Sequence, residues 1–231
     1  MKSDGTIEHL TADFAYEITE LERNIGRRRE TDYIMSFPKW IVLGIITLGI
    51  AAILMYYRLI KRRNEHFKRQ RRIVESVVTI LKVKASVSTD ITLELSRMFS
   101  IIKDVRDEEG EKSAAFWVIL SMITGWFAAL YVFYFLMRDV YTHSQRQRDF
   151  VDEFVSAMSK LGVDVTAIAT AAQYQYQVPR RSFAKYLVLS IITMGIFGIF
   201  WLYVIFKDWN DHFKTQWLVE DQILSSIKKL P

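Results

Sequence analysis

Ile45-Ile46-Thr47-Leu48-Gly49-Ile50 recurs late in the chain as Ile191-Ile192-Thr193-Met194-Gly195-Ile196. Each hexapeptide sits inside a stretch without Asp, Glu, Lys or Arg: Trp40–Tyr57 in the first case and Tyr186–Phe206 in the second. A third such stretch, Ala114–Met137, lies between them. These windows hold 18, 21 and 24 residues, against the roughly 20 apolar residues that carry a straight helix through a hydrocarbon core. Charge makes up 25% of the chain as a whole, so its absence from three windows is segregation. The sequence reads as an all-α integral membrane protein.

Aligned on Trp40, Trp117 and Tyr186, the windows match column by column. Leu43, Leu120 and Leu189 coincide, as do Ile46, Ile123 and Ile192, then Thr47, Thr124 and Thr193, then Tyr57, Tyr134 and Tyr203. Gly49 and Gly195 share a column in which the middle copy has Trp126, after Thr124-Gly125. The match continues beyond the windows. Lys61, Arg138 and Lys207 form one column, His66, His143 and His212 another, Gln70, Gln147 and Gln216 a third, and Glu75, Asp152 and Asp221 a fourth. Upstream, Phe14, Ile18, Leu21 and Ile25 fall on Ile91, Leu95, Met98 and Ile102, a spacing that lines one face of a helix. Thr11-Ala12-Asp13 and Ser88-Thr89-Asp90 read as helix N-caps.

Three tandem units follow, each an amphipathic helix, an apolar membrane segment and a second amphipathic helix. They span 11–87, 88–162 and 163–231, with membrane segments at 40–60, 114–137 and 185–206, after an N-terminal tail at 1–10. In the third unit the upstream part is shorter, from Asp164 to Pro179. Past the first window, Ile60, Phe67, Val74 and Leu81 recur at a heptad spacing, which suits packing against another helix. Nothing breaks residues 50–83, and a helix of that length is about 50 Å long.

The apolar segment has two readings, a single span or a re-entrant hairpin. Three spans would distribute Lys and Arg 13 against 18 across the membrane, a weak bias by the positive-inside rule. They would also place the matching His, Gln and acidic columns in opposite compartments. A hairpin entering from one side keeps all copies parallel. Its turn is expected at Thr47 and Gly49, Thr124 and Gly125, and Thr193 and Gly195, where Gly supplies positive φ. Legs of eight to ten residues would reach about half of a hydrocarbon core.

The core Leu189-x-Ile-Ile-Thr-x-Gly-Ile-x-x-Ile-x-Trp-x-Tyr203 resembles a small prokaryotic membrane family catalogued as domain of unknown function 4234. Copy one keeps Thr47, Gly49, Ile50 and Tyr57 but has Met55 where copy three has Trp201, and copy two keeps Thr124 and Tyr134. The resemblance implies a membrane location and brings no known activity or catalytic residues.

The candidate sites follow from these columns. Trp40, Trp117, Tyr186 and Trp201 are expected as lipid-facing anchors. Arg58, Lys61, Arg62, Arg63, Arg138, Arg180, Arg181 and Lys207 are expected at lipid head groups. Phe67, Gln70, Val74, Gln147, Phe213 and Gln216 are expected in helix packing, the glutamines fixing register. The acidic column is expected on a solvated or salt-bridged face. His66, His143 and His212 could meet around a threefold axis and hold a metal. No His-Glu-x-x-His or supporting ligand accompanies them, so they are expected at head-group level or in helix contacts, with no metal and no cofactor.

The absence of Cys excludes disulfides and thiol chemistry. No nucleophile with a base, phosphate loop or dinucleotide fingerprint is present, so no enzyme is expected. No intramembrane charge marks an ion relay, and a net charge of +5 without a recognition motif does not suggest nucleic acid. The N-terminal segment has no signal-peptide pattern and is expected on the cytoplasmic side. The function expected is a non-enzymatic membrane scaffold or membrane-shaping protein at the cell membrane. Its soluble helices would be mainly cytoplasmic, and its partners anionic lipid, further copies of itself and other membrane proteins. The alternative is a channel, transporter or membrane-complex subunit with three spanning helices.

Overall fold

The computed structural model describes residues 4–85 and 90–230, and side chains from residue 14 onward except that of Trp126. Ten α-helices and no strand occur among the described residues. Three are long: α4 (Ile50–Ala85), α7 (Trp126–Lys160) and α10 (Ile196–Ile227). They run parallel, because matching residues meet at one level after another. Arg63 on α4 reaches Asp139 on α7, the three histidines converge below that, and Gln147 bonds Gln216 one turn further on. At 36 residues, α4 is about 54 Å long.

Parallel neighbours require the chain to return between them. The return path is an outer helix followed by a short apolar one. The outer helices are α1 (Asp4–Gly26), α5 (Thr92–Glu108) and α8 (Thr166–Gln173). Each packs on two long helices: α1 on α4 and α10, α5 on α7 and α4, α8 on α10 and α7. That pattern is cyclic and closes the bundle. Between α1 and the first apolar helix, a single helical turn, α2 (Arg28–Thr31), also packs on α4. The apolar face read from the sequence is the reason α1 and α5 dock: Leu21, Ile25, Ile91, Leu95, Met98 and Ile102 are all buried. They join Val74, Val77, Leu81, Phe154, Ile223 and Ile227 in a core at the end remote from the apolar windows. A second core, nearer the windows, gathers Leu59, Ile60, Phe67, Leu136, Val140, Trp209 and Phe213.

One helix start differs from the sequence reading. α1 already begins at Asp4, so Thr11-Ala12-Asp13 lies within a helix, as does the stretch 4–10. At the second start, Ser88 and Thr89 lie outside the described residues. Asp90 does cap: its Oδ1 accepts from the Thr92 amide at 3.0 Å, as Asp164 Oδ1 does from Thr166.

Candidate functional site

Each apolar window is broken by a turn into a helical hairpin. The first pairs α3 (Phe37–Ile46) with α4, the second α6 (Ala114–Thr124) with α7, the third α9 (Phe183–Ile192) with α10. In the first and third the turn is a Schellman closure. The Gly49 amide donates to Gly44 O at 2.8 Å and Leu48 to Ile45 O at 3.2 Å; Gly195 and Met194 repeat this on Ser190 and Ile191. Thr47 Oγ1 then ties both legs, donating to Leu43 O at 2.7 Å and accepting from the Ala51 amide at 2.9 Å. Thr193 does the same with Leu189 and Phe197. The middle hairpin turns on Gly125 alone, at φ 63° and ψ −135°, a conformation that a side chain disfavours. All six residues expected at turns therefore lie in or beside them.

The tips are apolar and exposed. Leu48 and Met194 hold left-handed backbone at φ 49° and are 95% and 92% exposed. Around them Ile45, Ile46, Ile50, Met122, Ile123, Phe127, Ile191, Ile192 and Ile196 also face outward. Because the long helices are parallel and each starts at its tip, the three tips share one end of the bundle. No helix among the described residues is long and apolar enough to cross a membrane.

A collar of basic side chains follows. Arg58, Lys61, Arg138 and Arg180 are exposed, with Lys39 and Lys185 beside them. Arg181 and Lys207 are engaged within the protein, on Asp208 at 2.7 Å and Asp211 at 2.9 Å. Arg62 and Arg63 are corrections to the sequence reading, since both are buried. Arg63 donates to Asp139 at 2.9 Å and to Gly110 O at 2.7 Å, over the Phe67 ring. Arg62 lies between Phe206 and Phe213 and donates to Asn210 Oδ1 at 2.9 Å, leaving Nε and Nη2 without partners. Burial pushes its pKa down to about 9. Trp201 is also a correction. It is buried, with Nε1 on Met137 Sδ and its ring against Phe133, Phe183 and Tyr186. Trp40, Trp117 and Tyr186 are half-buried.

Asparagines tie two of the long helices to loops ahead of the apolar helices. Asn64 accepts from the Lys112 amide and donates to Lys112 O at 2.6 Å. Asn210 grips Met35 in the same way, with distances of 3.1 and 2.7 Å. Met35 and Lys112 stand as far apart in sequence as Trp40 and Trp117. Two of the three acids expected on a solvated or salt-bridged face are paired: Glu75 accepts from Arg106 and Asp221 from Arg28, both at 2.6 Å.

At the bundle centre, sixteen or seventeen residues from the helix starts and so about 25 Å from the tips, the three histidines meet. All three are fully buried. His66 Nε2 lies 3.2 Å from His143 Nε2 and 3.3 Å from His212 Nε2. The sequence reading did not pair them with acids, yet two have carboxylates behind them. His66 Nδ1 is 2.9 Å from Asp32 Oδ1, and His143 Nδ1 is 2.8 Å from Glu109 Oε2. Burial pushes Asp32 upward, but His66 and Arg69 outweigh it and hold the carboxyl well below its usual range. Glu109 is lowered too, against its burial, by His143 and Arg146. Burial pushes His66 down to about 4 despite Asp32, and His212 is also held well below the usual histidine range by its burial. His212 Nδ1 has no partner. Phe67, Phe213 and Trp209 wall the cluster. One turn below, Gln216 donates to Gln147 and accepts from Gln175, and Gln70 bonds Glu220. Phe67, Gln70, Val74, Gln147, Phe213 and Gln216 are all buried at helix contacts.

The acids carried a signal of their own. Asp32 precedes His66 by the same interval as Glu109 precedes His143. Val178 stands at the same interval before His212 and is buried in the second core.

A family model matches part of the chain. Residues 181–223 match the domain of unknown function DUF4234. The match runs from Arg181 through the third hairpin and most of α10, so it takes in His212 and Gln216. No curated protein and no solved structure matches the chain.

Proposed function

We propose that this protein is a non-enzymatic membrane scaffold that seats three apolar hairpins in one leaflet and holds its helical stalk outside. The observation that carries this is the bundle end built from three uncharged tips. Tips of this kind are unfavourable in water. Each large apolar side chain moved into hydrocarbon contributes about 1.5–3 kcal/mol, and Leu48, Met194 and their neighbours stand open at the bundle end.

The depth suits one leaflet. α3 and α9 have ten residues each, about 15 Å, which is half of a roughly 30 Å hydrocarbon core. The collar of Arg58, Lys61, Arg138 and Arg180 begins where the apolar faces end, the level at which cations meet anionic head groups. The polar backbone of the first and third turns is closed by the Schellman bonds and the threonine hydroxyls, which lowers the cost of placing a turn in lipid. Three wedges entering one leaflet expand it relative to the other, and this is how the scaffold would bend or sort membrane. Further copies along the stalk would extend the effect.

The test is imaging of the purified full chain added to vesicles rich in anionic lipid. The reading expects binding that falls with salt, vesicles drawn into tubules or small liposomes, and assemblies larger than one chain. Monomers that leave vesicles spherical would overturn the scaffold. Flux across the bilayer without deformation would favour a pore.

A further inference from the structure

The three histidines carry a second inference, independent of whether the hairpins enter a membrane. Asp32 and Glu109 accept from Nδ1, which fixes the tautomers of His66 and His143 with Nε2 as a bare lone pair. Those two lone pairs then face each other at 3.2 Å, a separation with no hydrogen between them. An Nε2–H on His212 could satisfy only one of them, and would leave the buried Nδ1 of His212 as an unmet acceptor. The opposite tautomer leaves Nδ1–H as an unmet donor and a third lone pair at the centre. Every neutral assignment therefore wastes buried polar groups, at about 1–3 kcal/mol each. Protonating an imidazole with no exposed surface costs desolvation as well.

A cation at the centre removes the conflict. Zinc binds imidazole nitrogen at about 2.0–2.1 Å, so ligands of a tetrahedral site lie about 3.3–3.4 Å apart. His66 Nε2 stands 3.2 and 3.3 Å from its two counterparts, and the ligand nitrogens of all three histidines lie within 4.8 Å of one another. The carboxylate–histidine pairs at Asp32 and Glu109 are the usual outer support of such ligands. Arg69, 2.6 Å from Asp32, and Arg146, 3.1 Å from Glu109, hold those acids in place in turn.

We propose that His66, His143 and His212 bind one divalent transition-metal ion, zinc in first place, through their Nε2 atoms. One ligand comes from each long helix, so the ion clamps α4, α7 and α10 at a single level. Imidazole donors also accept copper, nickel or iron.

The test uses the full chain, stripped with chelator and desalted after incubation with Zn2+ or Co2+. Elemental analysis is expected to find one retained ion per chain. Co2+ is expected to give visible ligand-field absorption that Zn2+ abolishes, and Zn2+ to raise the thermal midpoint. His143→Asn should lose the retained ion. Asp32→Asn and Glu109→Gln should each weaken affinity about 10–100-fold, the range for outer-shell partners. The proposal is overturned if the folded wild-type chain retains no stoichiometric ion among Zn2+, Co2+, Ni2+, Cu2+ and Fe2+. Retention undiminished by His143→Asn would also overturn it. Should that variant fail to fold, the wild-type stoichiometry and the two carboxylate variants decide.

Discussion

Replacing Leu48 and Met194 together by Asp isolates the membrane step from the fold. Both side chains are almost wholly exposed, at 95% and 92%, so the protein core loses nothing. Both positions are left-handed, and Asp accepts that conformation more readily than Leu or Met. Stability in detergent should therefore change little. In a bilayer the arithmetic is different. Losing a buried Leu or Met side chain forfeits about 2 kcal/mol, and an Asp at the centre of a membrane helix costs about 2.5–3.5 kcal/mol. Relief by snorkelling still leaves about 3 kcal/mol per tip. Two tips give about 6 kcal/mol, a ~10⁴-fold loss of partitioning at about 1.4 kcal/mol per tenfold. The assay is flotation with anionic vesicles, paired with thermal unfolding in detergent. Equal flotation of variant and wild type, with both folded, would refute the reasoning.

Further outcomes follow from single sites. Gly49→Ala or Gly195→Ala meets open space but sits at φ 96° or 92°, so each should cost about 1–3 kcal/mol through backbone strain alone, read as a lowered thermal midpoint. Asn210→Ala and Asn64→Ala each free a loop amide and carbonyl; each should cost about 1–3 kcal/mol, and unequal losses would argue against equivalent roles. Arg69→Met strands Asp32 and Glu220, both buried, and should cost about 3–5 kcal/mol in denaturant titration. Trp201→Ala should cost a similar ~3–5 kcal/mol as a core truncation, whereas a lipid-facing anchor would lose vesicle binding and little stability.

The all-α class and the long helices were legible. The heptad stripe marked the long helices, and the Thr-x-Gly steps marked the turns, while a single span and a hairpin both remained open for each uncharged window. What escaped was direction. Trp201 and Trp40 are equally apolar in sequence, and whether an aromatic faces outward or its own core depends on how distant helices pack on it. Arg62 and Arg63 read as part of a basic run, yet the bundle turns them inward, Arg63 toward Asp139 of α7. The histidine site was half visible. Its ligands formed a clear column, but the supporting acids lie on the far side of each apolar window, beyond the reach of local motif spacing. The offset that relates His66 to His143 also relates Asp32 to Glu109, and reading that column would have exposed the pair.

The most direct test of one-sided insertion is cysteine labelling in sealed vesicles. The chain has no native Cys, so single variants at Leu48, Lys61, Arg138 and Lys214 report cleanly. The account predicts that 61, 138 and 214 all react with an impermeant reagent from the same side, and that 48 reacts from neither. Labelling of 61 and 138 from opposite sides, or of 48 from the far side, would contradict it.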